Sequence, residues 1–278
     1  MKNQPITLGR LLGYVSKNVL LGVYVLFALF PLIWMVVLSL KPDSEMFNTT
    51  FVFHPTLENF EVVLTRADFL GALQNNLIIC ICAVILSMIV GVPAAYALAR
   101  FQFKGREDIA FTFLSFRFAP EILVIIPLFL IYQKLGLLDT YLGLIWVYQL
   151  ISLPLLIWIL RGFFEDISPD IESAAQLDGY NWWQVFFKIS LPLVRPGLVA
   201  ASLLCFIFCW NSFTFALLLG GGNTQTSTVA MNKFLASDTV HFGWAAAAAL
   251  ISALPEVILA LLIQKHLVRG LSFGAVKG

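Results

Sequence analysis

Charged residues are scarce in this sequence. Lys and Arg (17) and Asp and Glu (16) make up 12% of the 278 residues, whereas a soluble domain has about 25%. The net charge of +1 provides no basic surface for nucleic acid. Only four cysteines occur, all in apolar runs, which excludes a secreted disulfide scaffold. Hydrophobic residues reach 60%, too many for a disordered chain and more than a soluble core buries, which indicates a lipid bilayer.

Long apolar runs are the main feature that is present. A helix needs about 20 mainly apolar residues to cross a bilayer, and a β-barrel would instead show alternating segments of about 10 residues. We therefore predict an all-α membrane protein with six transmembrane helices. Their predicted ranges are 19–40, 73–99, 109–133, 141–160, 196–219 and 242–264. The first run exceeds the apolar part of a signal peptide, about 7–15 residues, so it is predicted to be an uncleaved span.

Lys and Arg are unevenly distributed among the segments outside these runs. Twelve of the 17 lie in the tail 1–18, in the second and fourth connections and in the tail 265–278, and four lie in the other connections. Cytoplasmic segments of membrane proteins carry the excess of basic residues. Both tails are therefore predicted to be cytoplasmic, segment 41–72 to be external, and residues 73–264 to form the transmembrane core.

The cytoplasmic connection 161–195 is patterned rather than loop-like. Ser168 followed by Pro169 is typical of a helix N-cap and a first helical residue. Acidic residues follow in the first turn, where the helix dipole favours negative charge, and Gly179 is typical of a helix end. The pattern predicts a short helix at residues 169–178.

A second short helix is predicted at residues 182–190. Asn181 and Gln184 have the spacing of a capping box, and the residues after them are rich in aromatic side chains. We call residues 169–190 the docking segment. Composition leaves two alternatives open: a docking element for another protein, or a helix pair that rests on lipid headgroups.

A spaced motif runs through the docking segment and the two residues after it. It consists of Ser173-Ala174-Ala175, Gly179, Ile189 and Leu191-Pro192. This spacing resembles the mark of permease subunits of bacterial ATP-binding-cassette (ABC) importers, in the carbohydrate-uptake branch: Glu-Ala-Ala, three residues, Gly, nine residues, Ile, one residue, Leu-Pro. Ser173 stands where the mark has Glu. Glu172 lies one position earlier, which is about 100° around a helix.

Further stretches are similar to the sugar branch of that family. They are Asp178-Gly179, Ile126-Pro127-Leu128, the stretch 135–140, Trp210-Asn211 and the ending 274–278. The resemblance implies a type I ABC importer permease fold in the bacterial inner membrane, serving a sugar or polyol. It also implies the residues that couple the permease to an ATPase: Glu172, Ser173, Ala174, Ala175, Asp178 and Gly179.

The resemblance implies several partners. Such a permease pairs with a second homologous permease, two cytoplasmic ATPase subunits and an external solute-binding protein. ATP and Mg are used by the ATPase subunits, and this chain is expected to bind no cofactor and to catalyse no reaction. Consistent with that expectation, the sequence has no Gly-x4-Gly-Lys-[Ser/Thr] phosphate loop.

Polar groups inside the predicted spans are candidates for the solute pathway, because an ionisable residue costs about 2.5–3.5 kcal/mol at the bilayer centre. Arg117 and Glu121 are four residues apart and would share one face of a continuous helix, either as pathway or gating groups or as a structural ion pair; Arg117 could also reach the lipid headgroups. Glu256 follows Pro255, where a packing or subunit-contact role is favoured. Sugar hydroxyls need hydrogen bonds, and sugar C–H faces stack on aromatic rings. The pathway candidates are Arg117, Glu121, Tyr148, Gln149, Trp210 and Asn211.

Metal binding and other functions are less well supported. The Cys and His residues form no zinc motif, so no metal is predicted, and the cysteines are predicted to be buried thiols. The alternatives are an ABC importer for another solute such as phosphate or an amino acid, an ion-driven secondary transporter and a membrane enzyme. A secondary transporter would favour inverted repeats, and an enzyme would need a convergent metal or nucleophile cluster. The sequence displays neither pattern.

Overall fold

The regular structure of this chain is helical. The computed structural model describes the backbone of residues 8–66, 68–116, 118, 120–236 and 240–272, and the side chains of 14, 16–65, 68–116, 118, 120–236 and 240–262. Within these ranges there is no β-strand. The helices are α1 (Leu8–Leu40), α2 (Glu58–Glu61), α3 (Phe69–Arg100), α4 (Arg106–Phe116), α5 (Glu121–Leu135), α6 (Tyr141–Val147), α7 (Gln149–Glu165), α8 (Pro169–Leu177), α9 (Trp182–Val185), α10 (Leu191–Leu193), α11 (Arg195–Trp210), α12 (Thr214–Leu219), α13 (Ser227–Ala236) and α14 (Phe242–Ser272). A 3₁₀ turn (Asp43–Glu45) and two π-helical turns (Val62–Arg66 and Phe186–Ser190) complete the set.

Three helical stretches in the described part of the chain are long and apolar enough to cross a bilayer alone. They are Ser16–Leu40, Phe69–Arg100 and Phe242–Leu262. Three pairs pass the same test only together: α4 with α5, α6 with α7 across a bend of 41°, and Trp182–Leu193 with α11 across a bend of 74°. The count is therefore three spans, or up to six if each bent pair is one span, and the number six stays a prediction.

The apolar run 109–133 is not one continuous helix. α4 ends at Phe116 and α5 begins at Glu121, with Pro120 in an extended conformation as its N-cap. Proline has no N–H and cannot extend the hydrogen-bond ladder of a preceding helix. The prediction of a single helix was wrong here, because it used periodicity and hydropathy, and neither depends on the backbone N–H that Pro120 lacks.

The apolar run 196–219 is also broken. α11 ends at Trp210 and α12 begins at Thr214. At the break, Asn211 Nδ2 donates a hydrogen bond to the Ile207 carbonyl at 2.9 Å. Short polar side chains compete in this way with the backbone hydrogen bonds of a helix, which explains why the predicted continuous helix ends at this point.

The larger of two compact units comprises Asp68–Lys233 and Ser252–Gly278, and α3, α7 and α11 pack together in its core. Glycines let these helices approach closely. A Cβ on Gly91 of α3 would lie 2.6 Å from a leucine of α7, and one on Gly197 of α11 would lie 2.5 Å from the Phe163 ring of α7. Small residues at helix contacts are typical of membrane proteins, where packing rather than hydrophobic burial holds the helices together.

Two connections of this unit are held together by one carboxylate. Asp139, between α5 and α6, accepts hydrogen bonds from Asn223 N and Nδ2 at 3.1 and 3.0 Å, and from Thr224 N and Oγ1 at 3.0 and 2.8 Å. Burial raises the pKa of this carboxyl, but the four hydrogen bonds together outweigh burial and lower it. Gly221 makes room for the contact, since a Cβ there would lie 2.6 Å from Asp139 Cγ.

The second unit contains α1, α2 and the first part of α14. Lys41, just after α1, is fully buried, and its ammonium lies 5.4 Å from the ring centroid of Trp34 and 5.6 Å from that of Phe53. The faces of aromatic rings attract a cation in this position. Asn59 donates to the carbonyls of Ser39 and Lys41 at 2.9 and 2.8 Å, so it satisfies carbonyls at the end of α1.

Candidate functional site

The first helix of the docking segment forms as predicted. It begins at Pro169, and Ser168 Oγ accepts a hydrogen bond from the backbone N–H of Asp170 at 3.3 Å. Gly179 follows with a φ of +91°, a backbone conformation that glycine adopts without steric cost. The helix ends at Leu177, one residue earlier than expected.

The second helix of the docking segment differs from the prediction in its second half. Its capping box is present, since Gln184 N donates to Asn181 Oδ1 and Asn181 N donates to Gln184 Oε1, both at 2.9 Å. After four residues, however, the helix widens into the π-helical turn Phe186–Ser190, so the regular helix predicted at 182–190 is wrong there. Pro192 explains the change, because its ring clashes with the carbonyl four residues earlier and it offers that carbonyl no N–H.

The predicted ATPase-coupling residues lie on two sides of the docking segment. Two of them are buried, Glu172 and Ala175. The others are exposed: Ser173, Ala174, Asp178 and Gly179. Leu177, which sequence reasoning did not select, is 89% exposed beside them. We call Ser173, Ala174, Leu177 and Asp178 the docking face. One residue turns a helix by about 100°, so Glu172 points inward while Ser173, at the position of the motif Glu, points outward.

The buried Glu172 carboxylate binds groups from other parts of the same unit. Arg100 Nε, at the end of α3, donates to Glu172 Oε2 at 2.8 Å, and Ser190 Oγ donates to Glu172 Oε1 at 2.6 Å. Arg100 Nη2 also donates to the Ile167 carbonyl at 2.9 Å. The side chains of Arg100 and Glu172 are only 8% and 4% exposed. Sequence reasoning counted Arg100 only as a cytoplasmic charge, because no pattern relates residues that are 72 positions apart.

Glu121, one of the predicted pathway residues, is the exposed first residue of α5. Arg117 lies outside the described residues, so the helix face that it was predicted to share with Glu121 stays a prediction. Glu121 borders a cavity of about 430 Å³ and is the one charged side chain among the described residues that line it. The other lining residues are Phe116, Val124, Leu150, Ile151, Phe208 and Phe215.

Tyr148 and Gln149 lie at the bend between α6 and α7. Tyr148 is fully buried. Gln149 Nε2 donates to the carbonyls of Ala83 and Ile145 at 3.1 and 3.0 Å, and Gln149 Oε1 accepts from Ser87 Oγ at 2.6 Å. The amide of Gln149 is thus engaged within the chain and ties the bend to α3.

Trp210 and Asn211 lie where α11 ends. Trp210 is buried, and its indole Nε1 donates to the Ser252 carbonyl of α14 at 3.1 Å. Asn211 is exposed, and its Nδ2 donates to Glu256 Oε1 at 2.6 Å. The structure therefore brings Asn211 together with Glu256, for which the sequence favoured a packing or subunit-contact role, and neither residue is among the described residues that line the cavity beside Glu121.

No cluster of three or more His, Cys, Asp and Glu side chains able to hold a metal occurs in the part of the chain that the structure describes. Three cysteines, Cys80, Cys205 and Cys209, are buried, and Cys82 is partly exposed. Cys80 Sγ donates to Asn76 Oδ1 at 3.6 Å and Cys205 Sγ to the Ser152 carbonyl at 3.3 Å, so these two buried thiols are engaged within the helical core.

Comparison with known proteins places these features in a family. Residues 87–273 match the family described as binding-protein-dependent transport system inner membrane component. The chain is 35% identical over 277 residues to the probable ABC transporter permease protein y4oR of Sinorhizobium fredii, covering 99% of this chain and 98% of that protein. It is 37% identical over 256 residues to the trehalose transport system permease protein SugB of Mycobacterium tuberculosis, covering 91% and 93%.

A solved structure has the same fold. It is a chain of a bacterial ABC transporter involved in the import of the acidic polysaccharide alginate, with a TM-score of 0.76, 26% identity, and coverage of 95% of this chain and 99% of that one. The chain therefore belongs to the family of binding-protein-dependent transport system inner membrane components. It is a permease subunit of an ABC importer, a non-catalytic component that resides in the inner membrane. The predicted family and fold class are confirmed.

Proposed function

We propose that this permease forms, with a second homologous permease, the pathway of an importer for a sugar or polyol, and that ATPase subunits drive it through the docking segment. One observation carries the coupling part of this proposal. Buried Glu172 anchors the docking segment on one side, while the docking face, which carries Ala174 and Leu177 beside Ser173 and Asp178, is exposed on the other. A helix that is anchored on one side and exposed on the other is suited to bind in a cleft of a partner and to move with that partner as one body.

The solute class is supported by the relatives. SugB, which is similar in sequence, is named for trehalose, and the structurally similar transporter imports alginate, so both relatives serve carbohydrates. The cavity beside Glu121 fits such a solute, because a carboxylate accepts hydrogen bonds from hydroxyls and the rings of Phe116, Phe208 and Phe215 offer surfaces for sugar C–H groups. The same architecture with a non-sugar solute is the first alternative, and an ion-driven secondary transporter is the second.

Among the pathway candidates, Glu121 and Asn211 present exposed polar groups, and we propose them as the first residues to test for solute contact. Tyr148, Gln149 and Trp210 are candidates whose packing roles would position the pathway helices. Arg117, outside the described residues, is retained as a candidate from the sequence.

The remaining parts of the proposal concern partners and orientation. The family description names dependence on a binding protein, which supports an external solute-binding protein as a partner. Two ATPase subunits would use ATP and Mg on the cytoplasmic side. The uneven distribution of Lys and Arg supports cytoplasmic positions for both tails, and a reporter fused to the C-terminus should be active only in the cytoplasm.

An uptake assay tests the proposed function. It uses the importer assembled in liposomes with its partner permease, ATPases and binding protein. We expect ATP-dependent uptake of radiolabelled trehalose or of another sugar or polyol in a screen, and no uptake of phosphate or amino acids. Uptake of phosphate or an amino acid instead would favour the first alternative. Uptake by this chain alone, driven by a proton or sodium gradient, would favour the secondary transporter.

The docking face is tested by a single bulky substitution. We expect Ala174→Arg to prevent co-purification of the ATPase and ATP-dependent uptake, because the long charged side chain would fill the contact. Thr49→Arg is the matched control, since Thr49 is an exposed residue of the segment predicted to be external. Full ATPase association of the Ala174→Arg permease would contradict docking at this face.

A further inference from the structure

Glu172 joins three segments of the chain at one buried carboxylate. Oε2 accepts from Arg100 of α3, and Oε1 accepts from Ser190 of the π-helical turn. Arg100 Nη2 also donates a hydrogen bond to the carbonyl of Ile167, just before α8. Each oxygen of the carboxylate therefore serves a different segment, and neither segment can shift without breaking a hydrogen bond to the same group.

Aromatic side chains surround this carboxylate, and the Tyr96 hydroxyl donates a hydrogen bond to Glu172 Oε2 at 3.5 Å. The ring of Tyr96 on α3 lies 5.2 Å from the Phe164 ring of α7 and 4.9 Å from the Phe186 ring of the π-helical turn, centroid to centroid. In such a low-dielectric environment an ion pair is strong, and a buried charge without its partner is strongly unfavourable. The geometry at Glu172 is consequently well defined.

The position of the Arg100–Glu172 ion pair suits it to a role in coupling the ATPase to the permease. Glu172 lies in α8, directly before Ser173 and Ala174 of the docking face. Arg100 is the last residue of α3, a helix of 32 residues that packs against α7 in the core. The hydrogen-bonded ion pair between Glu172 and Arg100 therefore links the helix that carries the docking face to the end of α3, alongside the ring contact between Tyr96 and Phe186.

We propose that Arg100, Glu172 and Ser190 form a joint that fixes the docking segment to α3, so that movement of the docking face moves α3. These are positioning residues, because they transmit movement of the docking face to α3 and do not contact the ATPase themselves. Glu172 in particular is buried and is not a surface contact for the ATPase. This inference rests on the proposed function, because it presumes that the ATPase engages the docking face.

A merely structural role makes a different prediction from a joint. A variant that only destabilises the permease lowers the number of working importers, so uptake and solute-stimulated ATP hydrolysis fall in proportion. A variant that lacks the joint still binds the ATPase. A smaller part of the movement of the docking segment is then transmitted to α3 in each cycle of ATP hydrolysis. The discriminating readout is therefore the number of solute molecules transported per ATP hydrolysed.

The test uses the complete importer in liposomes with radiolabelled trehalose, or the sugar that the uptake screen identifies. Glu172→Gln removes the charge but keeps the shape. We expect it to lower the ratio of solute to ATP about fivefold or more, with normal ATPase association. Asp170→Asn is the matched control, an exposed acid in the first turn of the same helix, and it should keep the wild-type ratio.

The double variant Arg100→Met with Glu172→Met covers the case in which Glu172→Gln does not assemble. Apolar pairs of similar size often replace buried ion pairs without loss of stability, so assembly should be retained while the ratio stays low. A wild-type ratio in either variant would overturn the joint. Absence of ATP-dependent sugar uptake by the wild-type importer would instead refute the proposed function, and the joint would fall with it.

Discussion

Replacing Asp139 by alanine should loosen the contact between two connections of the larger unit. The carboxylate accepts four hydrogen bonds, at 2.8–3.1 Å, from Asn223 and Thr224. Hydrogen bonds to a charged group contribute about 1.5–3 kcal/mol each when buried, but Asp139 is partly exposed and water would replace some of them. We therefore expect the substitution to lower the free energy of unfolding by about 2–3 kcal/mol in total.

This loss is measurable in the purified permease by thermal unfolding in detergent. A change of this size corresponds to a decrease in Tm of about 5–10 °C for a chain of this length. Asp166→Ala is the matched control, because Asp166 is an exposed aspartate and its removal should leave Tm almost unchanged. Equal Tm values for the two variants would refute the energetic role given to Asp139.

The pH dependence of the same contact has a defined sign. The pKa of Asp139 is lowered in the folded protein, so its stabilising effect is fully present above the unfolded-state pKa of about 3.9. The effect is lost as pH falls through the folded-state pKa. The Tm difference between the wild type and Asp139→Asn should accordingly shrink below about pH 4, and a difference that is constant from pH 7 to pH 3 would contradict this account.

Two further predictions concern helix packing. Gly197→Ala should lower the free energy of unfolding by about 1–3 kcal/mol, because its Cβ would lie 2.5 Å from a phenylalanine ring. Gly162→Ala, with nothing within 4 Å, should not lower it, and equal effects of the two would contradict the packing argument. Asn76→Ala should cost about 2–3 kcal/mol by leaving the Trp210 carbonyl and Ser227 Oγ without this donor. Unchanged thermal unfolding in detergent would show that the buried amide is dispensable.

Local signals along the sequence were reliable wherever a single short pattern decides the backbone. The proline at the start of α8, the glycine after it and the capping box at Asn181 act within one helical turn, so the sequence contains all the information needed. The start of α14 at Phe242 also agrees with the predicted run, because hydropathy over 20 residues integrates many side chains.

Predictions failed where a helix break depends on one hydrogen-bonding group inside an apolar run. Pro120 and Asn211 both lie in runs whose hydropathy is uniform, and hydropathy averages such positions away. The partner of Glu172 was also not visible from the sequence, because its buried carboxylate pairs with Arg100, which is distant along the chain.

The sequence by itself determined the environment and the local structure of this protein: apolar runs that require a bilayer, helices within them, and a spaced motif in a connection between two of these runs. These follow from composition and from interactions between residues a few positions apart. Only the tertiary structure decided that Glu172 is an internal anchor while Ser173 faces outward, and that Asp139 holds a distant connection. Those assignments depend on which helix ends meet in space, and contacts between residues far apart in the chain leave no periodic trace in a single sequence.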